Sequence, residues 1–168
     1  MERIRWYAII IVAFAALIFS ERAKAIDITY HTYGNARFGY VINYPMDILI
    51  PQGEADNGDG QKFISKGKDV IALVYGSNNA LDETLKGKYQ DAIRGSDSEI
   101  RHRVVKYKII KQNWFVVSGE EGENIFYLKT IYNNNAFITF HVTYPKSKKH
   151  TFNSIVAAMS KSFKMASK

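Results

Sequence analysis

Residues 26–168 predict a single α+β domain in which a run of strands is interrupted by two helices. Three observations carry that prediction. Short segments rich in Val, Ile, Tyr, Phe and Thr recur from Ile28 onward. Two stretches, Leu81–Ile93 and Phe152–Phe163, instead repeat apolar residues with the helical period. With 168 residues, 46% of them hydrophobic, the chain can bury a core of its own and is too apolar for disorder.

The first 25 residues read differently from the rest. Arg3 and Arg5 form a basic start, Tyr7–Phe19 is an uncharged apolar run, and Ala23-Lys24-Ala25 is a small-x-small site. That order is the signature of a secretory signal peptide, expected to be cleaved after Ala25. The apolar run is shorter than the roughly 20 residues a membrane-spanning helix needs. A retained anchor is the alternative. The segment carries four cations and two carboxylates, so its removal lowers the net charge from +7 to +5. A mild basic excess of this size suits solubility and can attract anions. Cysteine is absent, which excludes disulfides, a thiol nucleophile, cysteine-ligated zinc and a lipoprotein anchor.

Taken in order, Phe38–Tyr44 is the first strand, closed by Pro45, which lacks a backbone N–H. Lys62–Ser65 and Val70–Tyr75 follow, joined by the turn-like Lys66-Gly67-Lys68-Asp69. In the first helix Leu81, Leu85, Tyr89 and Ala92/Ile93 share a face. Asn79 is the expected cap, Asp82 and Glu83 suit the first turn, and Gly95 is the stop. Val105, Tyr107 and Ile109 then alternate with Lys106 and Lys108, one dry face and one wet. Trp114–Ser118 is the next strand. Ile125–Tyr132 and Ala136–Tyr144 flank Asn133-Asn134-Asn135, a hairpin turn because asparagine tolerates positive φ. The closing helix aligns Phe152, Ile155, Val156, Met159 and Phe163 in one stripe.

The densest cluster of candidate chemistry is EADNGDGQKF, Glu54–Phe63. An EF-hand loop fails here in both registers: from Asp56, glycine falls at the third and fifth positions; from Glu54, serine falls at the twelfth. A Walker loop also fails, since Asp59 occupies the lysine position. What remains is a glycine-enabled turn, with weak cation binding by Glu54, Asp56 and Asp59 as the alternative. His31, His102, His141 and His150 form no metal-binding pair, and His141 lies mid-strand beside Thr139 and Thr143. Ser118 lacks the preceding glycine of a nucleophile elbow, having Val116 there. The run RHRVVKYKIIK, with Arg101, Arg103, Lys106, Lys108 and Lys111 around Tyr107, reads as a solvated strand face rather than a nucleic-acid surface. Trp114, Phe115, Tyr127 and Tyr132 read as core aromatics that could also line a groove.

The segments FGYVINYP, NGDGQKF, VYG, TLKGKY, NWFVVSG, IFYLKT, VTYP and VAAMSKSF together resemble a family of secreted bacterial proteins similar to the PsbP-like superfamily. The resemblance spans about Tyr33 to Phe163. It implies an antiparallel β-sheet flanked by helices, a PsbP-like α/β/α sandwich. It also implies a non-enzymatic protein that assists larger assemblies or binds partner proteins. Related folds also serve as immunity or inhibitor proteins paired with toxins, which is the alternative; a hydrolase is the least favoured reading. The expectation is an exported periplasmic or extracellular binding protein with no cofactor, no metal, no nucleic acid and no membrane anchor after cleavage. Its partner is another envelope or secreted protein. The expected surface is a sheet edge or the loops, with Glu54, Asp56, Asp59, Trp114 and Tyr132 as candidates.

Overall fold

The computed structural model describes residues 28–95 and 103–167. The signal-peptide reading of residues 1–25 lies outside them, as do Arg101 and His102 of the basic run. The strands are β1 (Tyr30–Asn35), β2 (Tyr40–Pro45), β3 (Leu49–Glu54), β4 (Gly60–Ser65), β5 (Ile71–Asn78), β6 (Arg103–Ile110), β7 (Trp114–Glu121), β8 (Asn124–Asn133), β9 (Ala136–Pro145) and β10 (Lys164–Met165). Helix α1 is Leu85–Arg94, and α2 is Lys149–Ser162. Seven strands form one antiparallel sheet in the order β3-β4-β5-β9-β8-β7-β6, and β1-β2-β10 form a smaller one.

The core lies on one face of the large sheet. Phe63, Ala72, Val74, Ile138, Phe140 and Val142 point there, and α2 covers them with Phe152, Ile155, Val156 and Met159. The helical stripe read from the sequence is thus the buried one, with Phe163 capping the helix at 1% exposure. Phe163 meets Tyr40 and Phe140 at ring separations of 6.1 and 6.0 Å. The small sheet folds over the same core, presenting Tyr40, Ile42 and Tyr44. Half-buried Lys129 donates to the carbonyls of Ser160 and Phe163 at the end of α2, a cation placed where helix carbonyls lack partners. Burial holds its ammonium pKa below the usual lysine value.

Helix α1 lies on the opposite face, over β6 and β7. It leans Leu85, Tyr89, Ala92 and Ile93 on Phe115, Val117 and Phe126. It begins later than the sequence suggests. Asp82 sits at φ +51, outside the right-handed helical region, so Leu81 stays out of the helix and 80% exposed. Thr84 is the cap, accepting from the Gly87 amide at 3.0 Å. Asn79 instead closes the preceding loop, accepting from the Glu83 amide and donating to the Glu83 carbonyl. Gly95, at φ +84, ends the helix as expected.

Strands β1 and β3 have no counterpart among the elements read from sequence, and β6 departs from its expected alternation. A bulge between Val105 and Tyr107 shifts its register: Val105 pairs with Gly119, Tyr107 with Ser118 and Lys108 with Val117. Val105 therefore packs toward α1, whereas Tyr107, 53% exposed, belongs to the α2 side. The bulge also separates the lysines that strict alternation would keep together. Lys106 borders the α2 side, and Lys108 shares the register of Val117 on the α1 side.

Candidate functional site

The acidic stretch is the hairpin turn between β3 and β4, as its glycines suggest. Gly53 and Gly58 have φ of +96 and +65. Its carboxylates have separate tasks. Glu54 accepts from the Tyr33 hydroxyl and the Asn35 side-chain amide, both at 2.7 Å, which ties β1 to the turn. Asp59 accepts from the Asn57 side chain at 2.7 Å within the turn. The backbone carbonyl of Asp59 takes the Tyr40 hydroxyl at 3.1 Å and the Gly76 amide at 2.9 Å. Asp56 is exposed at the tip. Tyr40, fully buried among these groups, has its phenol pKa strongly raised by burial, then by Tyr33, Glu54 and Asp59.

The two aromatic candidates do not join the turn, nor each other. Trp114 pairs with Ile131 on the face that meets the α2 core. Tyr132 pairs with Phe137 on the α1 side, its ring 4.9 Å from the Phe137 ring and its hydroxyl donating to Asn135. Four strands lie between β3, which carries Glu54, and β7, which carries Trp114.

Both edges of the large sheet carry features that discourage strand addition. On β3, Pro51 removes a donor and the register shifts between Pro51 and Glu54. On β6 the bulge and the row of lysines do the same. Edge strand β6 also exposes Val104, Tyr107 and Ile110, but a continuous apolar row lies on the face of the sheet. Helix α1 covers only the β6–β7–β8 end of its face, and the β3–β4–β5 end is open. There Ile50, Ile64 and Ile71 lie side by side across three strands, with Leu73 and Tyr75 following along β5. Ile50, Ile71 and Tyr75 are each close to 40% exposed. Shallow hollows of about 410 and 240 Å³ mark this surface. The first runs from Leu73 and Tyr75 to Lys62, Gly60 and Asp59. The second joins Ile71, His141, Thr143 and Asp69. The structure therefore brings one sequence candidate, Asp59, to the rim of the uncovered face.

Two clefts flank the helices. Beneath α1 a hollow of about 410 Å³ is lined by Lys88, Arg103, Phe137, Thr139 and His141 among others. Its cations are engaged: Lys88 pairs with Glu83 at 2.6 Å, and Arg103 with Glu121. His141 Nε2 is buried without a hydrogen-bond partner. Burial, then the Arg103 charge, holds the imidazole below its ordinary pKa, against an opposing pull from Glu121. The second cleft, about 360 Å³, lies beside α2 between Lys106, Glu120, Tyr127, Lys149 and Asn153. Of the aromatics that could line a groove, Phe115 lines the first cleft and Tyr127 the second; the rest of both clefts and the open face were not legible in the sequence, because each assembles residues from segments that only the strand order makes neighbours.

Among the described residues no group of three or more His, Cys, Asp or Glu could hold a metal ion. No family model matches the chain, and no curated protein is significantly similar to it in sequence. Its fold does have solved counterparts. The chain is similar to cyanobacterial PsbP (CyanoP) from Synechocystis sp. PCC 6803, with a TM-score of 0.62 at 15% identity, over 88% of this chain and 98% of that one. A protein from Bacteroides thetaiotaomicron VPI-5482 aligns at 14% identity with a TM-score of 0.47, over 82% of this chain and 48% of that one. The architecture is the PsbP fold: one α+β domain with an antiparallel sheet and a helix on each face.

Proposed function

We propose that the chain is an exported accessory protein of the bacterial envelope or secretome that acts by binding a protein partner, without catalysis. One observation carries this reading: the uncovered half of the α1-side face, where Ile50, Ile64, Ile71, Leu73 and Tyr75 form a continuous apolar surface. Patches of this kind on soluble domains mark interaction sites, because leaving them in water has no folding benefit. The blunted edges direct a partner to the face rather than to strand addition. Lys62, Asp59 and Asp69 at the margins supply the polar rim typical of an interface. The PsbP fold agrees with an accessory role. Export rests on the signal-peptide pattern of residues 1–25.

The test is in-cell crosslinking of the tagged chain at native expression level, followed by mass spectrometry. Wild type is compared with Ile71→Glu/Tyr75→Glu. The expected result is one dominant envelope protein, lost in the double variant while thermal melting is kept. The same capture profile from both proteins would rule out the face as the docking surface. Export is read separately, from an intact mass that places the mature N-terminus at Ile26.

A further inference from the structure

The cleft beside α2 has a composition that partner docking on the other face leaves unexplained. Lys106 and Lys149 line it together with one carboxylate, Glu120, which Lys146 pairs from beside the cleft. Lys146 is at 3.1 Å, and all three lower the Glu120 pKa, with the Lys146 hydrogen bond the largest cause. Only Lys146 is paired; among the described residues Lys106 and Lys149 form no ion pair. The cleft therefore holds a surplus of two positive charges. Its remaining polar groups add donors. Asn153 accepts from the Tyr144 hydroxyl through Oδ1 at 3.0 Å, which leaves its N–H groups to donate, and Ser118 adds a hydroxyl. The floor is apolar, made by Ile125, Val156, Ala157 and the rings of Tyr127 and Tyr144. Tyr127 is fixed there by a 2.6 Å hydrogen bond to Ser160. A volume of about 360 Å³ lies in the range of small-molecule sites.

We infer that this cleft is a binding site for a small organic anion, its carboxylate held between Lys106 and Lys149 and its apolar body laid on the Tyr127–Val156 floor. The site lies across the sheet from the proposed partner surface and does not depend on it. Its formation depends on the β6 bulge, which brings Lys106 to the α2 side.

The test is an NMR titration of the purified protein with naphthoate, its neutral isostere naphthamide, and inorganic phosphate. Naphthoate is expected to shift the amides of Lys106, Ser118, Lys149 and Asn153, with naphthamide and phosphate each at least roughly tenfold weaker. Lys106→Gln and Lys149→Gln should each weaken naphthoate severalfold. Lys108→Gln, on the same strand but the opposite face, should leave it unchanged. Glu120→Gln should tighten it, since the opposing carboxylate is gone and Lys146 is released. Lys106, Lys108 and Lys149 are exposed and Glu120, partly exposed, is replaced by its isostere, so the variants keep the fold, and amide spectra confirm it. No naphthoate binding, equal binding of naphthamide, or equal loss on Lys108→Gln would each overturn the inference.

Discussion

Removing the Arg103 side chain is the sharpest probe of how α1 is held. The guanidinium is 10% exposed and its partner Glu121 15%. Nε and Nη2 both donate to Glu121, Nη1 donates to the Ala92 carbonyl in the last turn of α1, and the group lies 4.1 Å from the Phe126 ring centre. Arg103→Ala leaves a nearly buried carboxylate and a helix carbonyl without their donor. Breaking such a pair from one side costs about 3–5 kcal/mol. For a domain of this size that is a fall of about 10 °C in melting temperature. Arg103→Met/Glu121→Leu removes both charges and fills the space, so it should cost about 1 kcal/mol or less. Urea unfolding followed by Trp114, the only tryptophan after residue 25, measures both at constant slope. A loss under about 1 kcal/mol in Arg103→Ala would show that the pair behaves as a surface pair. A double variant no more stable than the single one would locate the cost in lost packing instead.

Four further outcomes follow from the same structure. A Cβ on Gly119 would lie 2.1 Å from the Val104 carbonyl oxygen, and one on Gly60 2.1 Å from that of Val74; either Ala variant should lose about 2 kcal/mol or more by chemical denaturation. Phe163→Ala, emptying a site at 1% exposure between Tyr40 and Phe140, should cost about 3–5 kcal/mol, and a melting point within error of wild type would undo the account of α2 docking. His141 has a folded pKa below its ordinary 6.5, so the folded state binds fewer protons there; its contribution is full above about pH 6.5 and is lost as pH falls through the folded value, a loss that His141→Gln should abolish in pH-dependent unfolding. Glu54→Ala should release β1, read as faster amide exchange at Tyr33–Asn35 without global unfolding; unchanged exchange would deny the clamp.

The parts legible in the sequence are those decided locally. Asn134 and Asn135 take φ of +48 and +56, the left-handed conformation that their side chains tolerate, and the hairpin forms where three asparagines announce it. The α2 stripe follows from spacing alone. Strands β1 and β3 escaped because Gly34-Asn35 and Pro51-Gln52-Gly53 carry punctuation residues inside a paired segment. The β6 bulge adds one residue opposite Gly119, and nothing in RVVKYKII marks it, so Lys106 and Lys108 look equivalent until β7 is in place. The sites were less legible still. The apolar face joins residues 50, 64 and 71 through pairings fixed only by chain reversal, and the lysine cleft needs β6, β7 and α2 together. The acidic turn drew attention because its residues are contiguous, yet Glu54 is spent on holding β1.

The partners of β2 bear on how the chain is made. Its antiparallel neighbours are β1, which precedes it, and β10, Lys164–Met165, which follows α2. The helix that covers Ile42 and Phe140 comes only just before β10. A nascent chain lacking residues 149–165 can pair most of the large sheet but leaves one side of it wet. Completion of the fold thus waits for α2 and β10 to be synthesised, and until then the apolar face of the sheet stays uncovered.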